Sequence, residues 1–345
     1  MKMFHVKQRE ERETRMAGKK KRKGKKTAHR SAGRVLGRLL LTAAALLLAV
    51  MTVWGSFVTL ECADLPLRDL PSAFDGVKIV YISDIHLTTF NSLSKVKSLF
   101  KRLERLKPDM LLLGGDYTGN DLVRLAANIG DDSAYDAAMI DLRDLFFLSL
   151  SEFDAPLGKF AVAGDMDNLL ECNAGTALED AAALGGVTLL RDEAARVVKD
   201  GQTLILVGVD DWRTGLQDAR TPAAGLAADD CVIVLSHTPE ALPQLNGQIA
   251  LGGGLWMDAA LTGHTLGGQI RLGDRELFNP LSSDERYLSG WHMENSTKTL
   301  ISTGLSGATF TFRLGSTAQV HLITLRTQTA AETPALTWPA APNGD

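Results

Sequence analysis

The segment that decides the fold is VKIVYISDIH, residues 77–86. Its first seven residues are rich in β-branched and aromatic side chains and are typical of a buried β-strand. Asp84 and His86 follow directly. Apolar residues then recur at helical spacing from Leu93 to Leu106 and stop before Pro108, whose ring disfavours continuing a helix. A strand, a polar turn and a helix in this order predict the first unit of an α/β domain.

The same alternation continues along the chain. Further strands are predicted at residues 110–113, 159–163, 204–209, 232–235 and 259–262, a helix at 141–150, and β-rich segments at 309–313 and 319–325. Strands that alternate with helices predict a layered α/β domain with the helices outside. The strand-rich second half predicts a mixed or two-sheet core.

Carboxylate or imidazole side chains follow five of the predicted strands. They are Asp84, His86, Asp116, Asp165, Asp167, His237 and His264. Because loops converge beyond the carboxyl ends of strands in open α/β sheets, we expect these side chains to share one crevice. One aspartate after a strand is commonly a helix cap, but capping does not explain five such strand ends. The triplet Asp210-Asp211-Trp212 either faces the crevice or forms a capped turn.

The types of these side chains indicate their chemistry. Oxygen and imidazole ligands without a thiolate suit Mn, Zn, Fe or a related divalent ion. The three cysteines, Cys62, Cys172 and Cys231, are far apart in sequence, which argues against a disulfide framework and a cysteine-based zinc site. Two ions bridged by one carboxylate would hold a hydroxide in line with a phosphorus atom and neutralise its oxygens.

Composition and charge narrow the class of protein. The chain has 345 residues, 45% of them hydrophobic and 23% charged, so it can bury a full core. This excludes disordered, collagen-like and disulfide-scaffold proteins. Residues 1–38 contain 15 of the 37 basic side chains and 3 of the 41 acidic ones. The basic run at 19–26 lacks interleaved aromatics, so we expect no nucleic-acid partner and attribute it to topology and anionic lipid.

Residues 39–60 form a stretch without charge, bounded by Arg38 and Glu61. At about 1.5 Å per residue, a helix of this length spans the roughly 30 Å hydrocarbon core of a bilayer. The stretch predicts a transmembrane helix, with a buried core helix and a cleaved signal peptide as alternatives. The positive-inside rule places the N-terminus in the cytoplasm and the main domain outside.

The predicted organisation has five parts. They are a basic cytoplasmic segment at 1–38, a transmembrane helix at 39–60, a linker at 61–76, the main domain at 77–326 and a flexible tail at 327–345. The bilayer is therefore an expected partner of the chain.

The strand-end segments resemble the calcineurin-like metallophosphoesterase family, particularly its membrane-anchored bacterial branch, over residues 70–325. The matching segments are SDIH at 83–86, GGD at 114–116, AGDMD at 163–167 in place of the family's Gly-Asn-His-Asp, SHTP at 236–239, and GHTLGGQ at 263–269 in place of Gly-His-Thr-His-Gly-Gly-Gln. The resemblance implies a fold of two mixed β-sheets packed as a sandwich and flanked by helices.

The resemblance also implies one or two divalent ions. The first site would use Asp84, His86 and a bridging Asp116; the second would use Asp116, Asp165, His237 and His264. The candidate catalytic residues are Asp116, Asp167 and His264. Three positions depart from the family pattern. Leu266 replaces a histidine ligand, and water or His292 could fill its place; Asp165 replaces an asparagine and adds a negative charge; and Met166 replaces the general-acid histidine, which leaves Asp167 without its usual partner.

The predicted function is that of a membrane-anchored, metal-dependent phosphoesterase. Without a general acid, a phosphodiester or a pyrophosphate with a good leaving group is the expected substrate, and the membrane anchor makes a phospholipid-type or lipid-linked phosphate ester a further candidate. Loss of a general acid typically costs about 10²- to 10⁴-fold in rate, so we expect an attenuated enzyme. The alternative is a catalytically degenerate domain that acts as a binding or scaffold module at the cell envelope.

Overall fold

The computed structural model describes residues 15–16, 37–174, 177–215, 220, 223–273, 275–278 and 287–328, with only the backbone described for 174 and 275–278. Its helices are α1 (Gly37–Trp54), α2 (Leu93–Glu104), α3 (Leu122–Ala127), α4 (Asp132–Ser149), α5 (Asp165–Ala174), α6 (Leu178–Leu184) and α7 (Leu242–Asn246). Its strands are β1 (Val58–Leu67), β2 (Lys78–Ile82), β3 (Met110–Leu113), β4 (Lys159–Ala161), β5 (Thr188–Leu189), β6 (Glu193–Lys199), β7 (Gln202–Val209), β8 (Val232–Ser236), β9 (Ala259–Thr262), β10 (Ile270–Leu272), β11 (Arg275–Phe278), β12 (Gly290–Glu294), β13 (Thr297–Ile301) and β14 (Ala318–Thr327).

The chain divides into two units, Met1–Val53 and Trp54–Asp345. Helix α1 accounts for most of the described part of the first unit. It has 18 residues and a mean hydropathy of 1.8, so its length and composition are sufficient to cross a membrane. Most of the basic segment and of the C-terminal tail predicted from the sequence lies outside the described residues.

The apolar helix ends earlier than the sequence predicts. It stops at Trp54, not at Leu60, and Val58–Leu67 forms β1, so part of the predicted linker belongs to a sheet. The physical reason is pairing with a strand that is distant in sequence. Strand β1 pairs in parallel with β14 from Val58 beside Ala318 to Leu67 beside Thr327, and these hydrogen bonds favour an extended backbone over further helix.

The main unit contains two six-stranded mixed sheets. The first has the strand order β1-β14-β2-β3-β4-β5, and the second has the order β12-β13-β9-β8-β7-β6. Within the first, β2, β3, β4 and β5 run parallel to one another. Within the second, β7, β8, β9 and β13 do the same. The carboxyl ends of the parallel strands therefore line one edge of each sheet.

The two sheets pack face to face over a shared hydrophobic core. That core joins buried residues of both sheets, for example Ile79 and Leu112 from the first with Leu206 and Leu261 from the second. On its outer face, the first sheet packs against α2, α4, α5 and α6 through a second cluster. The outer face of the second sheet packs around α7. This confirms the predicted sandwich of two mixed sheets flanked by helices.

Most predicted elements lie within a few residues of the observed ones, but two differ in kind or length. The segment 309–313 is irregular, since the backbone carbonyl oxygens of Phe310 and Phe312 accept from the Gln269 side-chain amide at 3.0 Å instead of pairing in a ladder. Helix α4 begins at Asp132, well before residue 141. Its first turns lack an apolar period and are stabilised by the cap that the Asp131 carboxylate provides to the backbone N–H of Ala134.

One buried histidine makes the fold sensitive to acid. His321 lies on β14, is 4% exposed and contacts the Ser302 hydroxyl. Burial lowers the pKa of His321 to about 4. Because the unfolded chain binds this proton at about pH 6.5, the stability that the neutral histidine contributes is present at neutral pH and is lost as the pH falls from 6.5 towards 4.

We predict that His321→Gln removes part of this acid sensitivity. Between pH 7 and pH 5, the free energy of unfolding of the wild-type chain should fall by about 2 kcal/mol more than that of the variant. Urea titrations of both proteins in detergent at the two pH values give this difference. An equal fall in both proteins would contradict the prediction.

Candidate metal centre

The polar strand-end residues lie together where the loops after β2, β3, β4, β8 and β9 meet. Side chains that could hold a cation form two groups. The first group is Asp84, His86 and Asp116, and the second is Asp116, Asp165, His237 and His264. In each group the candidate ligand atoms lie within 4.8 Å of one another. The structure thus brings together all six residues predicted as metal ligands.

The second group is compact enough to surround one cation. His237 Nε2 lies 3.4 Å from Asp116 Oδ2, 3.4 Å from Asp165 Oδ1 and 3.2 Å from His264 Nδ1. His264 Nδ1 lies 3.5 Å from Asp165 Oδ1. Ligand atoms bound at about 2.1 Å to a tetrahedral cation lie about 3.4 Å from one another. These distances therefore match the spacing of ligands around a metal.

The first group shares an atom with the second. His86 Nε2 lies 3.5 Å from Asp116 Oδ2 and 3.8 Å from Asp84 Oδ1. Since Asp116 Oδ2 also contacts the second group, one carboxylate oxygen stands between the two. This is the position of a bridging ligand in a two-metal site.

Hydrogen bonds behind the two groups orient the candidate ligands. His237 Nδ1 donates to the carbonyl oxygen of Gly114 at 2.7 Å, which directs Nε2 towards the second group. The Asp84 carboxylate accepts from the Ser83 hydroxyl at 2.6 Å and from the backbone N–H of His264 at 3.0 Å. Contacts of this kind fix the tautomer and direction of metal-binding side chains.

The backbone at the site is strained. Asp84, His86, Asp116 and His264 have φ angles of 52°, 43°, 56° and 68°, in the left-handed region that non-glycine residues seldom occupy. Each such residue costs on the order of 1 kcal/mol or more, so the surrounding structure must enforce it. Gly164 contributes by close approach, because an added Cβ would lie 2.2 Å from Asp116 Oδ1.

Two buried polar atoms at the site have no hydrogen-bond partner among the described residues. They are His86 Nε2 and Asp165 Oδ1. A buried polar atom without a partner typically costs about 1–3 kcal/mol, and both of these atoms point at their groups. Together with the carboxylates of Asp84 and Asp116, they form a set of ligand atoms that a bound cation would stabilise. The residues therefore fit one or two divalent cations.

The buried carboxylates attract positive charge to the site, and His237 carries a proton that a cation in the second group would displace. Burial raises the pKa of Asp116 well above its usual value, although His237 opposes the shift. Burial disfavours a charge on His237, but Asp116 and Asp165 outweigh it and raise the pKa of that imidazole well above the usual range. Burial lowers the pKa of His86 to about 4, so this histidine is neutral at physiological pH and offers a lone pair.

The family follows from comparison with known proteins. A family model of the calcineurin-like phosphoesterases matches residues 77–267. The chain belongs to this family. Its members use divalent metals, which agrees with the donor set described above.

Relatives of the chain in the calcineurin-like phosphoesterase family come from bacteria and vertebrates. The uncharacterized metallophosphoesterase YkuE of Bacillus subtilis (strain 168) is 26% identical over 74% of this chain and 82% of its own length. Phosphodiesterase YaeI of Escherichia coli (strain K12) is 26% identical over 72% of this chain and 82% of its own length. A transmembrane protein with metallophosphoesterase domain from Danio rerio is 25% identical over 60% of this chain and 44% of its own length.

One departure from the calcineurin-like pattern lies beside the first group. Leu266 stands where the resemblance implies a histidine ligand; it is fully buried and has a φ of 53°. His292 does not take its place, since His292 Nε2 contacts the Ser289 carbonyl oxygen at 3.0 Å and the residue belongs to neither group. Among the described residues, the first group therefore has three candidate protein ligands.

The second departure changes the role of Asp167. Its Oδ2 accepts from the backbone N–H of Asp116 at 2.7 Å and of Gly164 at 2.9 Å, and its Oδ1 accepts from the backbone N–H of Tyr117 at 3.1 Å. Burial nevertheless raises the pKa of Asp167 to about 6. Although Met166 offers no histidine to orient, Asp167 has three backbone partners and positions Asp116.

The sequence interpretation missed an arginine side chain at this site. Arg213 Nη1 lies 2.6 Å from His264 Nε2. Its loop is an Asp-capped turn, since the buried Asp211 carboxylate accepts from the backbone N–H of Arg213 and of Thr214. The sequence signal was the triplet Asp210-Asp211-Trp212: Asp211 caps the turn, and the next residue, Arg213, contacts His264.

We predict that Asp167→Asn weakens metal binding. An amide nitrogen in place of one carboxylate oxygen would face a backbone N–H, so the loop that carries Asp116 should shift. Mn²⁺ affinity should fall about 10- to 100-fold and the free energy of unfolding by about 2 kcal/mol. Calorimetric titration with Mn²⁺ and urea unfolding measure the two effects. The control is Asp180→Asn on the exposed face of α6; equal Mn²⁺ affinity in both variants would refute the positioning role.

Proposed function

We propose that this chain is a metal-dependent phosphoesterase that hydrolyses a phosphodiester, a pyrophosphate or a phospholipid-type substrate. One observation carries the proposal: Asp116 Oδ2 belongs to two groups of buried ligand atoms at once. A carboxylate shared by two cations is typical of sites that carry out in-line displacement at phosphorus. The relatives named above include a phosphodiesterase, which supports the same reaction class.

The candidate catalytic residues have separate roles in this proposal. Divalent cations, when bound, would activate the attacking water and neutralise charge on the phosphoryl oxygens. Asp116 supplies the shared oxygen and thereby fixes the separation of the two groups. Asp167 holds the loops around Asp116, because its carboxylate accepts from the backbone N–H groups of Asp116, Tyr117 and Gly164. His264 presents Nδ1 to the second group while its backbone N–H orients Asp84.

The residue at position 166 decides which leaving groups the site can expel. Met166 occupies the place of the general acid in the family pattern, and a thioether has no proton to donate. A general acid typically contributes about 10²- to 10⁴-fold when the leaving oxygen must be protonated. An activated phosphodiester or a pyrophosphate has a better leaving group than an alkyl monoester, so it should be the preferred substrate class.

The proposal includes a single-pass anchor in the cell membrane. Helix α1 is long and apolar enough to span a bilayer, and two vertebrate relatives carry the word transmembrane in their names. The excess of basic residues before α1 favours a cytoplasmic N-terminus with the main domain outside the cytoplasm. An anchor keeps the site near lipid-linked phosphate esters, which makes them the first substrates to test.

A second candidate function rests on the positions where this chain departs from the family pattern. Met166 stands in place of a proton donor and Leu266 in place of a metal ligand. The second group of candidate ligands nevertheless keeps its four side chains. A domain that binds a cation yet turns over no substrate would act as a binding or scaffold module at the envelope.

We predict Mn²⁺-dependent hydrolysis of bis-nitrophenyl phosphate by the full chain in detergent. Asp116→Ala should reduce the rate on the order of 10³-fold, because both groups lose their shared oxygen. Asp180→Ala, on the exposed face of α6, should leave it unchanged. The assay is run together with metal analysis. Bound metal without turnover, or turnover that Asp116→Ala does not change, would favour the binding module.

We predict that Met166→His changes the dependence of the rate on the leaving group. A histidine beside Asp167 can donate a proton, so the hydrolysis of alkyl phosphodiesters should increase by at least about tenfold. The leaving group of bis-nitrophenyl phosphate needs no protonation, so the rate of its hydrolysis should increase little. Met166→Gln has a side chain of similar length without an acid and serves as the control. Equal gains on both substrates would show that position 166 does not act on the leaving group.

A further inference from the structure

Arg213 occupies a place at the metal centre that the ligand groups do not explain. It lies in the turn that follows β7, and its Nη1 is 2.6 Å from His264 Nε2. The opposite nitrogen of the same ring, His264 Nδ1, belongs to the second group of candidate ligands. The guanidinium is therefore separated from the candidate cation position by the width of one imidazole ring.

The turn that carries Arg213 is built rigidly. Oδ2 of the buried Asp211 accepts from the backbone N–H of Arg213 at 3.1 Å, from the backbone N–H of Thr214 at 2.8 Å and from the Thr214 hydroxyl at 2.7 Å. Asn168 Nδ2, on helix α5, donates to both Thr214 Oγ1 and Asp210 Oδ1 at 3.1 Å. The turn is thus tied to α5, the helix that begins with the candidate ligand Asp165.

The rest of the turn is equally constrained. The backbone N–H of Gly215 donates to the Asp211 carbonyl oxygen at 2.7 Å, and a Cβ at Gly215 would lie 2.5 Å from Asp210 Oδ2. Only a residue without a side chain fits this approach. A backbone held in this way fixes where the side chain of Arg213 starts, although that side chain is itself exposed.

The contact between Arg213 and His264 depends on which ring nitrogen bears hydrogen. A guanidinium only donates, so His264 Nε2 accepts in this structure. An imidazole that ligates a cation through Nδ1 bears its hydrogen on Nε2, where it can no longer accept from an arginine. Arg213 then has donors directed at the site and needs another acceptor.

From this geometry we infer that Arg213 binds a non-bridging oxygen of the substrate phosphate beside the second ligand group. The inference rests on the proposed phosphoesterase function. Arginine suits this task because its planar, permanently charged fork can donate two parallel hydrogen bonds to a phosphate. It cannot replace the proton donor absent at Met166, so its contribution is binding and charge stabilisation.

A second guanidinium near the site, that of Arg313, cannot perform this role. Arg313 is fully buried and donates to the carbonyl oxygens of Leu266 at 3.1 Å and of Ser306 at 2.6 Å. Its Nη1 and Nη2 donors are therefore already engaged with loop carbonyl oxygens. Arg213, in contrast, is exposed, so its side chain is open to an incoming ligand.

The test measures the affinity of inorganic phosphate for the Mn²⁺-loaded full chain by calorimetry, together with metal content. Arg213→Ala should weaken phosphate binding about 10- to 100-fold and leave the metal content unchanged. Arg213→Lys should show an intermediate loss, since it keeps the charge without the fork. Arg196→Ala, on the exposed face of β6, is the matched control and should bind phosphate like the wild type.

In the hydrolysis assay, Arg213→Ala should raise KM for bis-nitrophenyl phosphate by a factor similar to its loss of phosphate affinity. Equal phosphate affinity in Arg213→Ala and Arg196→Ala would overturn the inference. So would a wild-type chain that binds metal but no phosphate, or a loss of metal in Arg213→Ala that accounts for its weaker binding. Because phosphate binding needs no turnover, a chain that binds phosphate through Arg213 yet hydrolyses no ester would refute the proposed function and leave the phosphate site standing.

Discussion

The buried carboxylate of Asp116 is the group on which the rest of the site depends. Asp116 Oδ2 lies 3.5 Å from His86 Nε2 and 3.4 Å from His237 Nε2, inside a protein interior where Asp116 is 1% exposed. A buried carboxylate among other carboxylates is costly unless positive charge lies nearby. The surrounding residues therefore have to hold Asp116 in place and to provide a position for a cation.

The fold meets both requirements through its loops. Asp116 has a left-handed backbone, three hydrogen bonds to Asp167 fix the loops around it, and Gly164 leaves no room for a side chain beside it. Both sheets deliver their parallel strand ends to the same edge, so β2, β3 and β4 contribute one set of side chains and β8 and β9 the other. Strain of this kind persists only where the packing beneath it is extensive, as in the shared core of the two sheets.

The sequence predicted those features that depend on neighbouring residues and missed those that depend on distant parts of the chain. Asp84, His86 and Asp116 stand directly after strongly apolar strands, so both the strands and the clustered side chains were predictable. Strand β1 was not, because its residues form a strand only through pairing with β14, at the other end of the domain. Arg213 was not predictable for a similar reason: its direction depends on the Asp211 cap and on Asn168, which belongs to another part of the chain. The backbone partners of Asp167 likewise become apparent only when the loops after β3 and β4 are brought together.

The central claim is that these buried side chains hold divalent cations around a shared Asp116 oxygen. An anomalous-difference map from crystals of the full chain grown with Mn²⁺ tests it directly. We expect a peak in contact with Asp116, Asp165, His237 and His264, and a second, weaker peak beside Asp84 and His86, where the first group has one ligand fewer. Manganese bound only to exposed carboxylates, with no peak in contact with Asp116, would contradict the account.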